Sequence, residues 1–185
     1  FPKSVPFLAT SATLTPSALS STMTSLHLHG TSTYILNLGN DRPNVTMELR
    51  TMHGNVWNPE DLYDIWQEAL GGCIERRMVF VNETKTAQIL CRIICEGLPE
   101  CHRGEVDSYF ALRGPKTKLH IMEQFRKGKV NVLFTTEAAG MGCDIPDVKI
   151  VIQFGAPKTL AIWVQRAGRA GRSPLIQARA ILLFE

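Results

Sequence analysis

The sequence predicts an α/β protein built on a mostly parallel sheet with helices on both faces. Three observations carry this. Short, almost wholly apolar runs recur (RMVFV, VNVLFT, VKIVIQF and ARAILLF), as expected of strands buried on both sides. Between them lie longer segments whose apolar residues repeat at helical spacing. The two kinds alternate along the chain, the pattern of parallel strands joined by crossover helices.

Element by element, VPFLATSAT (residues 5–13) reads as a strand entering a Ser/Thr turn, and LTPSALSSTMTSL as a helix. NLGNDRPN is a polar connector and a candidate domain boundary. In NPEDLYDIWQEALGG, Asn58 can cap, Pro59 suits the first helical position, and Leu62, Ile65, Trp66, Ala69 and Leu70 repeat at helical spacing before Gly71. The strand RMVFV follows, then the helix TKTAQILCRIICEGL with Ala87, Leu90, Ile94 and Leu98 on one face. DSYFAL, the helix KTKLHIMEQFRKG ending at Gly128, and the strands VNVLFT and VKIVIQF continue the alternation. A helix around TLAIWVQRAG and a last strand, ARAILLF, complete it.

With 185 residues, 44% of them hydrophobic and 20% charged, the chain can bury one full core and a fragment of another. It begins at Phe1 with no basic-then-apolar leader ahead of FPKSVPFLATSAT, so it reads as cut from something longer. Its apolar runs fall well short of the roughly 18 residues of a membrane span. Five cysteines without a Cys-x-x-Cys pair fit a reducing compartment. Cys91 and Cys95 stand one helical turn apart on an apolar face, which favours buried thiols over a metal site completed by Cys101 and His102. A net charge of +3 does not by itself imply nucleic acid, but its placement is uneven. Arg166, Arg169, Arg172 and Arg179 crowd one stretch, while Glu60, Asp61, Asp64 and Glu68 gather on another helix.

Ligands of open parallel sheets bind at the carboxyl ends of strands, and two loops there are unusual. TEAAGMGCDIPD follows VNVLFT; Gly140 and Gly142 remove side chains from a sharp turn, flanked by Thr136 and Asp144. Taken alone, a plain βα loop explains it as well. WVQRAGRAGR sets Arg166, Arg169 and Arg172 on a three-residue beat, with Gly168 and Gly171 between them. Two glycines inside a helix cost about 1 kcal/mol each, so the expectation is a helix face that lets an anionic group approach Arg169 and Arg172. Guanidinium, planar and permanently charged, suits phosphate. A surface Arg/Gly tail or a simple nucleic-acid patch is the plainer alternative.

QRAGRAGR resembles motif VI of superfamily 2 helicases, TEAAGMGCDIPDV with its flanking strands resembles motif V, RMVFVNETKTA motif IV and ATSAT motif III. Gly-Met-Gly-x-Asp-x-Pro-Asp-Val and the Arg-Pro-Asn of residues 42–44 resemble the RecQ DNA helicases. The resemblance implies a RecA-like fold. It makes residues 1–38 the end of a first lobe and the interlobe connector, and residues 39–185 a second lobe. It implies an ATP-dependent DNA helicase moving 3′ to 5′, using ATP and Mg²⁺, with DNA and a first RecA-like lobe as partners and the nucleus as its compartment. By motif position, Arg169 and Arg172 resemble arginine fingers for the ATP γ-phosphate, and Gln165 the residue ordering that phosphate and the attacking water. Asp144, with Gly142 and Gly140, falls where the nucleotide is held. Thr136, Thr84 and Thr86 fall where nucleic acid is contacted, and Thr10, Ser11 and Thr13 where hydrolysis is coupled to it. An N-cap role explains Thr84 as well.

The sequence departs from RecQ where Arg166 replaces an acidic residue, where Ser173 replaces an aspartate, and in lacking an aromatic at Ala139. Arg166 is closer to the RNA-helicase pattern, which keeps a DEAD-box type RNA helicase as an alternative. A non-enzymatic helicase remnant that only binds nucleic acid is the third reading. The chain holds no Gly-Lys-Ser/Thr loop and no Asp-Glu pair, so by itself it is expected neither to hydrolyse ATP nor to unwind a duplex.

Overall fold

The computed structural model describes residues 5–11, 13–28, 33–37, 39, 41–139 and 145–185, and all that follows concerns these. Residues 1–42 and 43–185 form two compact units. The first carries helix α1 (Pro16–Ser25), opened by Pro16 at its first position and capped by Thr15, whose hydroxyl accepts the Ala18 N–H at 3.3 Å. The strand expected over residues 5–13 does not form among the described residues of that stretch. A strand exists through its ladder bonds to a neighbour, and every strand of the sheet comes from the second unit.

That unit is a six-stranded sheet in the order β1-β6-β5-β2-β4-β3, parallel at every pairing. Its strands are β1 (Val45–Thr51), β2 (Arg77–Phe80), β3 (Val106–Tyr109), β4 (Val132–Thr135), β5 (Ile150–Phe154) and β6 (Ala178–Phe184). Period-two alternation sends Val79, Val132, Phe134, Ile152 and Ile181 to one face, where α2 (Asp64–Leu70) and α3 (Thr84–Gly97) cover them. Met78, Phe80, Leu133 and Val151 point to the other face, under α4 (Pro115–Arg126) and the turn after α5 (Leu160–Ala167). Trp163 and Ala167 of α5 pack on Ala180. Helices on both faces of a parallel sheet are the architecture the sequence predicts.

Two elements differ from expectation. Strand β1 was not predicted: its apolar residues Val45, Met47 and Leu49 alternate with Thr46, Glu48 and Arg50, but it adjoins the polar connector and stands at the sheet edge, with Leu49 71% exposed. The helix read from Pro59 begins later. The Asn58 carbonyl accepts from the N–H groups of Asn55 at 3.0 Å and Glu60 at 2.9 Å, closing a tight turn. Its side-chain amide donates to Glu60 Oε1 at 2.7 Å instead of capping. A short 3-10 turn (Glu60–Leu62) therefore precedes α2. Leu62, Ile65 and Ala69 are buried as predicted, whereas Leu70 is 79% exposed.

Helix α3 is held against α2 by Trp66, whose indole N–H donates to the Ile94 carbonyl at 3.1 Å. A Cβ on Gly97 would lie 2.5 Å from that indole nitrogen, so the last residue of α3 has room for a hydrogen only. Arg77 is fully buried on the same face of the sheet. Its guanidinium donates to Asp64 Oδ2 at 2.6 Å and to Glu68, both on α2, and its Nε to the Glu75 carbonyl at 3.2 Å. Among the described residues no helix is long and apolar enough to cross a membrane.

Candidate nucleotide and nucleic-acid site

Strands β2, β4 and β5 end side by side, and polar residues collect at their carboxyl edge. Gln153 is the polar residue of the buried strand β5. Its amide nitrogen donates to the Gly155 carbonyl at 2.8 Å, and its oxygen accepts from Arg166 Nη1 at 2.5 Å. Asn82, just past β2, donates to the Ala156 carbonyl at 2.8 Å. Arg166 is itself buried: its other terminal nitrogen donates to Glu137 Oε2 at 2.5 Å, and its guanidinium carbon lies 5.3 Å from the centre of the Phe80 ring. Charge-assisted bonds and an aromatic face offset the cost of burying the guanidinium. Sequence reasoning treated Arg166 as a family departure and missed Gln153, Glu137 and Asn82. The legible signal was an amide within the apolar run VIQF.

The arginine-bearing segment is shaped differently from the expectation. Thr159 caps α5, its hydroxyl accepting the Ile162 N–H at 3.3 Å, but the helix stops at Ala167 with Gly168 as its C-cap. Arg169 and Arg172 thus lie in turns beyond the helix, with the Arg169 N–H bonded to the Arg166 carbonyl at 2.9 Å. The second glycine has a local cause. Gly171 sits at φ +52°, and a Cβ there would be 2.8 Å from both Ala178 Cβ and Asn44 Nδ2. Chain reversal and packing call for that glycine, in place of the approach of an anion to a helix face.

The segment also closes onto the glycine-rich loop from both sides. Arg166 holds Glu137 at the start of the loop. At its far end, the Gly171 N–H donates to the Val148 carbonyl at 2.8 Å and the Ser173 N–H to the Pro146 carbonyl at 3.1 Å. Gly140, Gly142 and Asp144 lie outside the described residues. Thr136, half-buried, follows β4 directly; its neighbour Thr135 donates its hydroxyl to the Tyr109 carbonyl at 2.8 Å. Arg169 and Arg172 are half-buried and Gln165 is exposed on α5.

Thr84 and Thr86, both half-buried, open α3 just beyond the carboxyl end of β2. Glu83, with extended φ −128° and ψ 143°, occupies the N-cap without a side-chain capping bond. Thr84 is therefore the first helical residue, which corrects its reading as an N-cap. Thr10, Ser11 and Thr13 belong to the first unit, where the Thr13 N–H donates to the Ser11 hydroxyl at 3.3 Å. Cys91 and Cys95 pack against the core from α3. A hydrogen bond to Cys95, together with burial, pushes the Cys91 thiol above its usual range. Cys101 is exposed, and His102 Nδ1 lies 2.7 Å from Glu105 Oε1.

The family model for the helicase conserved C-terminal domain matches residues 57–174, a span that holds both the loop and the arginine segment. The chain belongs to that family. Among curated relatives of this helicase domain, a protein of Acanthamoeba polyphaga mimivirus named as an ATP-dependent RNA helicase is 32% identical over 139 residues. That match covers 71% of this chain and 22% of the viral protein. A Caenorhabditis briggsae protein named as ATP-dependent DNA helicase Q1 is 29% identical over 185 residues, covering 98% of this chain and 28% of its own length. The chain thus spans about a quarter of these relatives. Among solved structures, S. cerevisiae Dbp5 bound to RNA and ADP BeF3 superposes with a TM-score of 0.69 at 22% identity, covering 94% of this chain and 43% of that one. This likeness is one of fold: the parallel sheet is the RecA-like α/β fold of helicase C-terminal domains.

Proposed function

We propose that this chain supplies the second lobe of an ATP-dependent superfamily 2 helicase, contributing the arginine half of a composite ATP site. The observation that carries the reading is the closure of the arginine segment onto both ends of the glycine-rich loop, through Glu137 on one side and Pro146 and Val148 on the other. Motif V and motif VI then act as one body. The donor set suits a polyphosphate: two half-buried guanidinium groups on turns whose backbone is pinned. Mg²⁺, held by residues of the first lobe, would supply neutralisation of phosphate charge.

Within this site Arg169 and Arg172 face the γ-phosphoryl group and offset the charge that spreads over its oxygens during transfer. Gln165 orients the attacking water. Asp144, Gly142 and Gly140 hold the nucleotide, and Thr136, Thr84 and Thr86 hold the nucleic-acid backbone. Thr10, Ser11 and Thr13 relay closure of the cleft to strand binding. Residues 1–38 are the end of the first lobe with its connector, and residues 39–185 the second lobe.

The substrate is DNA in the reading we favour, as for RecQ helicases, supported by a DNA-helicase relative whose match extends over 98% of this chain and so takes in Arg-Pro-Asn. An RNA substrate is favoured by the viral relative and by Arg166, whose buried pairing makes it integral to the segment. Unwinding of matched DNA and RNA duplexes by the full-length protein decides between them; faster RNA unwinding discards the RecQ assignment. In the same protein, Arg172→Ala is expected to lower nucleic-acid-stimulated ATP turnover by roughly 10³ to 10⁵-fold while strand affinity persists. Wild-type turnover in that variant refutes the composite-site reading.

A further inference from the structure

We infer that Asn44 is a positioning residue for Arg172: it pins the turn that carries this arginine, a role that rests on the phosphate-facing reading of Arg172. The Asn44 side-chain nitrogen lies 2.7 Å from the Gly171 carbonyl, 2.9 Å from the Ile176 carbonyl and 3.2 Å from the Ser173 carbonyl. Three carbonyl oxygens around one amide end fix its orientation, because only the NH₂ group donates. The two protons serve the two shorter bonds and share the third. The Asn44 backbone carbonyl meanwhile accepts the Ala178 N–H at 2.8 Å, the first link between this end of β1 and β6.

One side chain therefore ties together the residue before Arg172, the residue after it, and the entry to β6. The fit is close on the other side too: a Cβ on Gly171 would collide with the Asn44 amide at 2.8 Å. Gly171 and Asn44 are thus two halves of one joint. The sequence marked Asn44 only as part of Arg-Pro-Asn; the structure gives it a task 127 residues away. Backbone bonds from Gly171 to Val148 and from Ser173 to Pro146 secure the turn to the far end of the glycine-rich loop, and the Ser173 carbonyl also accepts the Ile176 N–H at 3.1 Å. Asn44 adds the side-chain donor that the Gly171, Ser173 and Ile176 carbonyls share. Without it, those oxygens lose their shared donor and the Arg172 backbone gains freedom. Misplacement of a catalytic group by about 1 Å costs roughly 10²-fold in rate.

The test has two arms, and Asn44→Asp is the variant of choice because it keeps the shape and removes both donors; Asn44→Ala is the second. In the 185-residue chain, hydrogen exchange is expected to speed up at the amides of Gly171, Ser173 and Ile176 while those of β2 and β5 keep their protection. Unchanged exchange at the turn, or a uniform rise across the sheet, overturns the clamp. In the full-length protein, either variant is expected to lower kcat for ATP roughly 10²-fold with KM shifted less than about threefold. Combined with Arg172→Ala, it should add no further loss, since both act through one group. Additive losses overturn the positioning role. Full turnover in Arg172→Ala alone sinks the composite-site reading instead, and leaves the exchange measurement to decide the clamp.

Discussion

Arg77 and Glu48 show how single residues keep charge within or beside this sheet. Arg77 is fully buried yet meets two carboxylates and a carbonyl, so its removal strands Asp64 and Glu68 against apolar surface. Breaking a buried pair from one side costs about 3 to 5 kcal/mol. Because Asp64 keeps 45% exposure, the lower end is expected for Arg77→Ala, read as a shift of the urea midpoint. Glu48 links the edge strand β1 to its neighbour β6: hydrogen bonding to Arg179, aided by Arg50 and opposed by partial burial, holds its carboxyl down at about 2. A carboxyl depressed in the folded state stabilises above its unfolded pKa of about 4.3, and this contribution is lost as pH falls towards the folded value. Glu48→Gln should therefore be less stable than the parent near neutral pH. The difference should shrink as unfolding is followed from pH about 4.3 down to about 2; a constant difference disproves the linkage.

Among the elements, those with a strong period were legible and those decided by tertiary partners were not. Helix α3 could be read from Ala87, Leu90 and Ile94, which are buried as their spacing predicts. Strand β5 was equally plain, but the task of Gln153 within it depends on Arg166, a residue in a different motif. Of the two glycines in the arginine segment, Gly171 has a cause that spacing does not show: its seat is made by Asn44 and Ala178, one distant in sequence and the other across a turn. Local spacing cannot reveal such a partner. The contrast between Leu90 and Leu70 gives a test at this scale. Both fit the helical period, yet Leu90 is fully buried and Leu70 largely exposed. Leu90→Ala should cost about 2 to 5 kcal/mol and Leu70→Ala less than about 0.5 kcal/mol, measured by chemical denaturation.

For the molecule as a whole, Thr136 and the start of α3 stand at the carboxyl edge of the sheet. The turn that carries Arg172 is instead tied to Val148, Asn44 and Ile176 ahead of β5, β1 and β6, at the amino edge. Nucleic acid should be met chiefly through backbone phosphates. Affinity of the chain for a single-stranded oligonucleotide, followed by fluorescence anisotropy, is expected to be weak and to fall steeply with salt as counterions are released. A flat salt response points to base contacts and contradicts this mode. The parallel pairing of β1 with β6, which sets Val45 opposite Ala178 and Thr51 opposite Phe184, governs the order of assembly during synthesis. Strand β1 leaves the ribosome early and has no neighbour in the sheet until β6 emerges. For that whole interval the nascent unit carries an open backbone edge together with the apolar side chains of Val45, Met47 and Leu49, a surface that invites pairing between chains. Translation arrest before Ala178 should therefore yield aggregation-prone, chaperone-bound products, whereas extension through Phe184 closes the sheet.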